Sequence, residues 1–439
     1  MIKTKRPERR SRKIDWYPDR EYLHFDRRLS RTDAEALVTN PDKVVEHAFL
    51  PLISFNKIER KYRRRKALQP EIKTKIRKLA YCSNKDACIF AYYARLLNEP
   101  YEALIRQLGI DDVVIGYRRI GSNIDLAMSA FQDIATRGSC VAFAYDISGF
   151  FDNIVHAVLK RNWARVLDTD KLPDDHYKVF RNLTKFSTVD RRACLRRLGE
   201  KPGAKDSEVN RRPLCPIAEF RQSIRSDVGP LPNLVVPWKR DYRIPQGTPL
   251  SALAANISMI EFDVDMRKAI VALGGTYRRY SDDILIVVPS THRSGVPALM
   301  DNLLKLRTRR LKVKPEKTEI IEFIPGGLAK GAGTKALQYL GFIFDGQNRF
   351  LRSSTLAKYH RRMYRAVGSA KLRQHAAITG SLPGRSKIYK RSLLASLTHL
   401  GGRNFVTGYA ADASSKMGGK AIKKQLSGHY QKLQALLDR

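Results

Sequence analysis

"RRYSDDILIVV", residues 278–288, sets two adjacent carboxylates, Asp282 and Asp283, between a basic tyrosine-bearing run and a run of Ile, Leu and Val. The two flanking runs read as strands, and the Asp pair as the turn between them. Aspartate is an ordinary turn former, and that alone would account for the pair. Two features point to chemistry instead. The second strand is almost wholly apolar, which ties the turn to a buried sheet. And "FAYDISGFFD", residues 143–152, repeats the arrangement, with Asp146 at the end of an apolar strand just before the chain turns. Strands that each present Asp at one end can pair and bring their carboxylates together.

Carboxylates that close repel and raise each other's pKa. Hard divalent cations remove the penalty, because Mg2+ favours carboxylate oxygen together with substrate phosphates. Two such ions about 3.5–4 Å apart stabilise both the attacking and the leaving oxygen of a phosphoryl displacement. A hydroxyl next to one ion needs no histidine base, and the nine histidines are scattered without catalytic spacing.

The partner class follows from charge. Lys and Arg number 82 against 43 Asp and Glu, a formal charge of +39. A positive field of that size suits a polyanion, nucleic acid before an acidic membrane surface. A solvated surface serving solubility alone is the bland alternative, but balanced charge would serve as well. A hydrophobic content of 43% over 439 residues is globular and long enough for two or three subdomains. Five cysteines, with no C-x-x-C and no Cys/His spacing for zinc, fit a reduced, cytoplasmic setting. The basic N-terminus has no apolar run behind it, and no stretch reaches the length of a membrane span.

Along the chain, residues 1–50 read as a basic N-terminal arm and helix: the first 30 or so form an arm with little core of its own, and a helix follows near 32–53 with Thr32 as N-cap. "KIERKYRRRKALQPEIKTKIRKLAY" (57–81) is dense in positive charge, either a surface for phosphates or a solvated helix face. "DACIFAYYARLLNEPYEALIRQL" (86–108) has helical period, and "DDVVIGYRRIG" (111–121) reads as a strand. A polar insert covers roughly 165–243. "IPQGTPLSALAANISMIEFDVDMRKAI" (244–270) is a turn feeding a long helix, with the acids of "DVDM" on a polar face. "LQYLGFIFD" and "RFLRSS" look like a further hairpin, and 354–439 is helical and basic. "GGLAKGAGTK" (326–335) fails the phosphate-loop pattern and reads as a connection. Asp152 reads as a helix-start residue rather than a third ligand. Trp16 and Trp238 could stack bases, though buried aromatics are commoner.

These residues carry a family resemblance. "YSDD" (280–283) resembles the Tyr-x-Asp-Asp box of reverse transcriptases. "DISGFF" (146–151) resembles their first carboxylate motif, "PQGTPLSALAANI" (245–257) their Gln-Gly motif, "PEKTEI" (315–320) their lysine motif and "YLGFIF" (339–344) their primer-grip hairpin. All five stand in the family's order, over roughly 110–350. The stretches "YRRIG" and "HAFLPLI" resemble bacterial members. The long insert "DDHYKVFRNLTKFSTVDRR" (174–192), without an appended endonuclease, is similar to the defence-associated "unknown group", within it to class 2.

The resemblance implies an α+β right-hand polymerase: fingers at 51–145, a palm with an antiparallel sheet at 146–350 holding a fingers insert at about 165–243, and a helical thumb at 351–439. It implies an RNA-directed DNA polymerase that copies an associated non-coding RNA into cDNA in antiphage defence. A retron or group II intron-type enzyme, a protein-primed or template-independent DNA polymerase, and a non-catalytic RNA-binding scaffold are the alternatives. Asp146, Asp282 and Asp283 become ligands of two Mg2+ ions, with Mn2+ as a substitute, and Asp283 is secondary because neighbouring strand residues point to opposite faces. The Ile147 carbonyl is an extra ligand. Lys317 donates a proton to the pyrophosphate leaving group. Arg118 or Arg119 grips the triphosphate of the incoming dNTP, and strand alternation allows only one of them. Phe151 falls at the steric gate against a ribose 2′-OH. Gln246 and Gly247 line the nucleotide pocket, and Tyr280 and Gly341 support the primer. For Phe151, Gln246, Gly247 and Tyr280, plain packing or an ordinary helix start stands beside the functional role.

Overall fold

A computed structural model of the chain describes residues 16–18, 21–63, 71–200, 213–226, 231–329, 335–381, 383 and 387–438. All of the arm before residue 16, the loop-like 201–212 stretch and residues 330–334 of the 326–335 connection lie outside the described residues. In chain order the strands are β1 (Leu52–Arg63), β2 (Glu71–Tyr81), β3 (Cys140–Asp146), β4 (Ser187–Asp190), β5 (Val236–Pro237), β6 (Thr276–Tyr280), β7 (Asp283–Pro289), β8 (Glu319–Ile324), β9 (Gly327–Leu328), β10 (Leu337–Tyr339), β11 (Phe342–Phe344) and β12 (Arg349–Leu351). The fold is α+β, with helices interspersed among sheets whose pairings are antiparallel except for the parallel β1–β4 pair.

Two compact units divide the chain. The first takes Met1–Val114, Ile147–Met266 and Met300–Lys312, and the second Ile115–Asp146, Arg267–Leu299 and Val313–Arg439. In the second unit, a five-stranded sheet has the order β6-β7-β3-β8-β9, with every pairing antiparallel. Its central strands are the apolar runs of the sequence: Ile284 through Val288 and Cys140 through Phe143 are buried. Such strands hold register because a one-residue slip would turn every core side chain outward. One face packs on the helix Asn123–Arg137, whose Ser122 and Asp125 form a reciprocal cap, and on the three-stranded sheet β10-β11-β12. Phe344 stacks between Phe131 and Phe323 there, with ring centroids 4.9 and 5.7 Å away. The C-terminal helices complete this core through Met363, Val367, Ala413 and Leu433.

The first unit is built on the helix Asn84–Gln107 and a four-stranded sheet of order β2-β1-β4-β5. Here three readings of the sequence change. Residues 57–81 form no helix: β1 and β2 pair as a long antiparallel ribbon from Ile53↔Tyr81 to Arg63↔Glu71. Alternating charge and β-branched residues suit a solvated strand pair, which lacks the apolar alternation that marks a half-buried one. Residues 16–50 are not without a core, since Trp16, Leu23 and Phe25 are buried and Phe25 packs with Ile53, Val189 and Phe220. The helix near 32–53 is two short ones, Arg31–Val38 capped by Ser30 rather than Thr32, and Pro41–Glu46 capped by Asn40 with Pro at its first turn. The polar insert is ordered where described, with helices at Asp174–Thr184 and Arg191–Arg197.

Residues 111–121 make turns rather than a strand, so alternation no longer decides between Arg118 and Arg119. On the helix Ile260–Ala272 the acids divide: Asp263 is fully buried, while Asp265 accepts a hydrogen bond from Arg307 at 2.5 Å.

Candidate active site

The hairpin of the opening stretch forms as read. β6 and β7 are joined by the two-residue turn Ser281–Asp282, with Tyr280 paired to Asp283. Ser281 sits at φ 60°, a left-handed conformation that tight hairpin turns demand. β3 lies on the other side of β7, and its last residue Asp146 stands directly opposite Asp283. In an antiparallel pair, opposed residues share a face with Cβ atoms about 4.5–5.5 Å apart. The sheet thus brings Asp146, Asp282 and Asp283 to one end. It is Asp283, not Asp282, that pairs with Asp146, and the opposite-face argument against Asp283 does not apply because Asp282 lies in the turn.

The electrostatics follow from that convergence. Burial, then the Asp282 and Asp146 carboxylates, push Asp283 up to about 6, against the pull of Lys317 and Arg352. Burial, with Asp146 contributing, also raises Asp282. Lys317 places its ammonium directly on the Asp146 carboxylate. It comes from the short turn Pro315–Lys317, which leads into β8, and the Lys314 amide holds the Asp146 carbonyl at 2.8 Å. "PEKTEI" therefore belongs beside the carboxylates, as the ordered motifs imply.

Tyr280 ends β6 next to this cluster, half-buried, with its phenol raised by burial, by Tyr117 and by Asp283. Gly341 lies in the turn between β10 and β11, and its carbonyl accepts from the Arg352 amide at 3.0 Å. Arg118 and Arg119 follow Tyr117 in the turn region of the same unit. Sequence reading missed Arg352, whose charge acts on Asp283 from the start of the helix Ser353–Ile378. It also missed Tyr339, a buried phenol on β10 with no hydrogen-bond partner among the described residues, raised by burial and by Asp283. An arginine among 82 basic residues carries no signal of its own.

Ile147, Phe151, Gln246 and Gly247 belong to the first unit. Phe151 opens the short helical turn Phe151–Asn153, half-buried, with its ring 5.6 Å from that of Phe150. Asp152, in the same turn, pairs with Arg243 at 3.0 Å, as suits a turn residue. The Gln246 carbonyl accepts from the Ala80 amide at 3.2 Å, and Gly247, at φ 132°, lies so close to the Ala80 carbonyl that no side chain fits. "PQG" is thus fastened to the end of β2 by a backbone approach that only glycine permits. Trp238 stacks on Phe186, and Arg243 covers its ring, which makes it a packed rather than a free surface aromatic.

Among the described residues, no group of three or more His, Cys, Asp and Glu side chains is drawn together tightly enough to hold a metal ion as it stands. The donor chemistry nevertheless fits a hard divalent cation: three carboxylates meet at one strand end, Asp282 and Asp283 raised by burial and by neighbouring acids, with the Lys317 ammonium on Asp146.

Comparison with known proteins bears on this region. Residues 236–344, from β5 to the end of β11, match the family described as "Reverse transcriptase (RNA-dependent DNA polymerase)". No curated protein matches the sequence. Among solved structures, the chain is similar to the apo telomerase of Candida tropicalis truncated from its C-terminal domain, at 11% identity and a TM-score of 0.42, over 74% of this chain and 61% of that one. It is also similar to the telomerase of Candida albicans in complex with a fragment of telomeric RNA, at 13% identity and a TM-score of 0.42, over 92% and 59%. The chain spans about three fifths of the length of those structures.

Proposed function

We propose that the chain is an RNA-directed DNA polymerase, a nucleotidyltransferase that extends a primer with dNTPs. The observation that carries this is the meeting of Asp146, Asp282 and Asp283 at one end of a buried sheet, with Lys317 on Asp146. The match of residues 236–344 to the reverse transcriptase family supports it. The three carboxylates, with the Ile147 carbonyl, are the groups that would hold Mg2+. When bound, two such ions supply charge stabilisation to the attacking and leaving oxygens. The residues do the rest. Lys317, on the Asp146 carboxylate, stands ready to donate its proton as pyrophosphate leaves. Phe151 crowds a ribose 2′-hydroxyl, and Gln246 and Gly247 line the base and sugar pocket. Arg118 or Arg119 grips the triphosphate, and Tyr280 with Gly341 supports the primer end. The subdomain roles follow the same reading: fingers within 51–145 and the 165–243 insert, palm around the carboxylate sheet, and thumb from 351 on.

The large positive charge suits an RNA template. Motif order and the long first-to-second motif insert support an associated non-coding RNA as that template, cDNA as product, and a role in antiphage defence. No described helix is long and apolar enough to cross a membrane, in keeping with work on RNA in the cytoplasm.

Purified chain, Mg2+, poly(rA)/oligo(dT) and labelled dTTP provide the test. Incorporation that requires the RNA strand, and that disappears in the Asp282→Ala/Asp283→Ala variant, is the expected result. Product that survives that variant, or synthesis indifferent to removal of RNA, would overturn the reading. Sequencing RNA that copurifies with the chain tests the template class: one dominant non-coding species is expected, and a random sample of cellular RNA counts against it.

A further inference from the structure

A segment outside all five motifs lies against the back of the carboxylate turn. Ile115 and Gly116 both donate their amides to the Arg279 carbonyl, at 2.9 and 3.3 Å. Gly116 is buried, and a Cβ added to it would stand 2.6 Å from the Ser281 amide nitrogen and 3.0 Å from the Tyr280 carbonyl carbon and Cα. These neighbours are backbone and cannot swing aside, so only glycine allows the approach. The next residue, Tyr117, sits at φ 61°, and its phenolic oxygen accepts a hydrogen bond from Ser281 Oγ at 3.2 Å. Ser281 is itself at φ 60°. Two non-glycine residues in the left-handed region thus face each other across one hydrogen bond. Such conformations persist where the surroundings over-determine them, and they cluster at functional sites. From inside the hairpin, the fully buried Arg279 adds a third hold, donating from Nη1 to the Ser281 carbonyl at 3.3 Å.

We infer that Gly116 and Tyr117 are positioning residues for phosphoryl transfer, a clamp that sets the Ser281–Asp282 turn and so fixes where Asp282 and Asp283 present their carboxylates. The inference rests on the polymerase reading above and adds to it Gly116 and the first residue of "YRRIG", outside the five ordered motifs. Neither residue needs to touch the nucleotide. The clamp acts through backbone geometry: hydrogen bonds from three sides and one steric fit converge on the residues immediately before the carboxylates. An angstrom of misplacement at reacting groups is enough to cost about two orders of magnitude in rate. The alternative, that this is ordinary packing of a loop under a hairpin, predicts a loss of stability in place of a loss of rate.

Single-turnover incorporation of dTTP on poly(rA)/oligo(dT) with Mg2+, using the full chain, separates the two. Gly116→Ala should lower the maximal incorporation rate by about 10- to 100-fold, with apparent dTTP affinity within about twofold of wild type. Should that variant not fold, Tyr117→Phe removes only the hydroxyl. It should lower the rate by about two- to tenfold at an unchanged melting temperature. Ser281→Ala should do the same, and the double variant should lose no more than either single one, because both delete one hydrogen bond. A Tyr117→Phe enzyme at wild-type rate, or a loss seen as weaker dTTP binding or as a lower melting temperature, overturns the clamp and leaves the polymerase reading standing. A wild-type chain that incorporates nothing overturns the polymerase reading and takes the clamp with it.

Discussion

The carboxylate end of the five-stranded sheet and the ribbon β1–β2 are opposites in charge, burial and purpose. At the first, three acids stand at the ends of strands, or in the turn that joins them, and the strand interiors are shut off from water, Ile284 through Val288 among them. On the second, Lys57 stands opposite Arg77, and Ile58 opposite Ile76, the isoleucines 50% and 60% exposed. A site that must place atoms to a fraction of an angstrom is mounted on strands whose register burial fixes. A surface that needs only a positive field tolerates a solvated ribbon, where ion pairs such as Arg77–Glu59 at 3.0 Å add little. On the proposed reading, precision and attraction fall to different sheets, and substitutions in the two should fail differently.

The sharpest break comes at the acids. Asp146→Ala or Asp282→Ala should lower incorporation by about 10³-fold or more, because no other group could take over the ion-binding role. A single-turnover assay at saturating template would show it, and binding of poly(rA)/oligo(dT) by filter retention should stay within a few-fold of wild type. Weakened RNA binding with intact chemistry would erase the distinction between the two sheets. Lys317→Ala should cost about 10²-fold in the same assay, in the range of a lost general acid. Proton donation predicts a loss that shrinks as pH falls, because solvent acid can then supply the proton in place of the ammonium, and a loss indifferent to pH would count against it. The ribbon should answer in binding instead. Replacing Lys57, Lys75 and Arg77 together by Ala should weaken binding to single-stranded RNA and flatten its salt dependence by about 0.7 in log–log slope for each phosphate left without a neutralising side chain. The maximal rate on saturating template should not change.

The same contrast explains what could be read in advance. β7 was legible because a fully buried strand is an unbroken apolar run, and Asp146 because it ends another. Ordered motifs placed Lys317 beside Asp146, although they are 171 residues apart in sequence. The ribbon was not legible, because Lys, Arg, Glu and Ile alternate there without an apolar face, and only pairing with a partner makes it a strand. Nor could the sequence tell which aspartate faces Asp146, since that depends on whether the turn holds one or two of the four residues in "YSDD". Gly116 was hidden for a different reason. A glycine within an apolar and aromatic run signals close approach only once the approaching backbone, here Ser281, is known.

The smallest expected effect reports on the cost of the acid cluster itself. Asp283 is raised to about 6 in the folded chain from an ordinary 3.8. The folded carboxyl therefore holds its proton more tightly than the unfolded one, so protonation favours the fold. Stability should rise as pH falls from about 6 toward 4 and be lost as pH climbs back through that window. More than a third of the Asp283 surface still meets solvent, so screening holds the gain to about 1 kcal/mol or less. Asp283→Asn removes the charge at every pH. In metal-free buffer at pH 7 it should melt about 1–3 °C higher than wild type while losing incorporation, and its advantage should vanish near pH 4. A lower melting temperature at pH 7 would mean that the carboxylate is stabilised in the fold rather than strained. The acids would then be an ordinary ion-paired turn, and the division between a strained, buried site and a relaxed, solvated ribbon would fail at its centre.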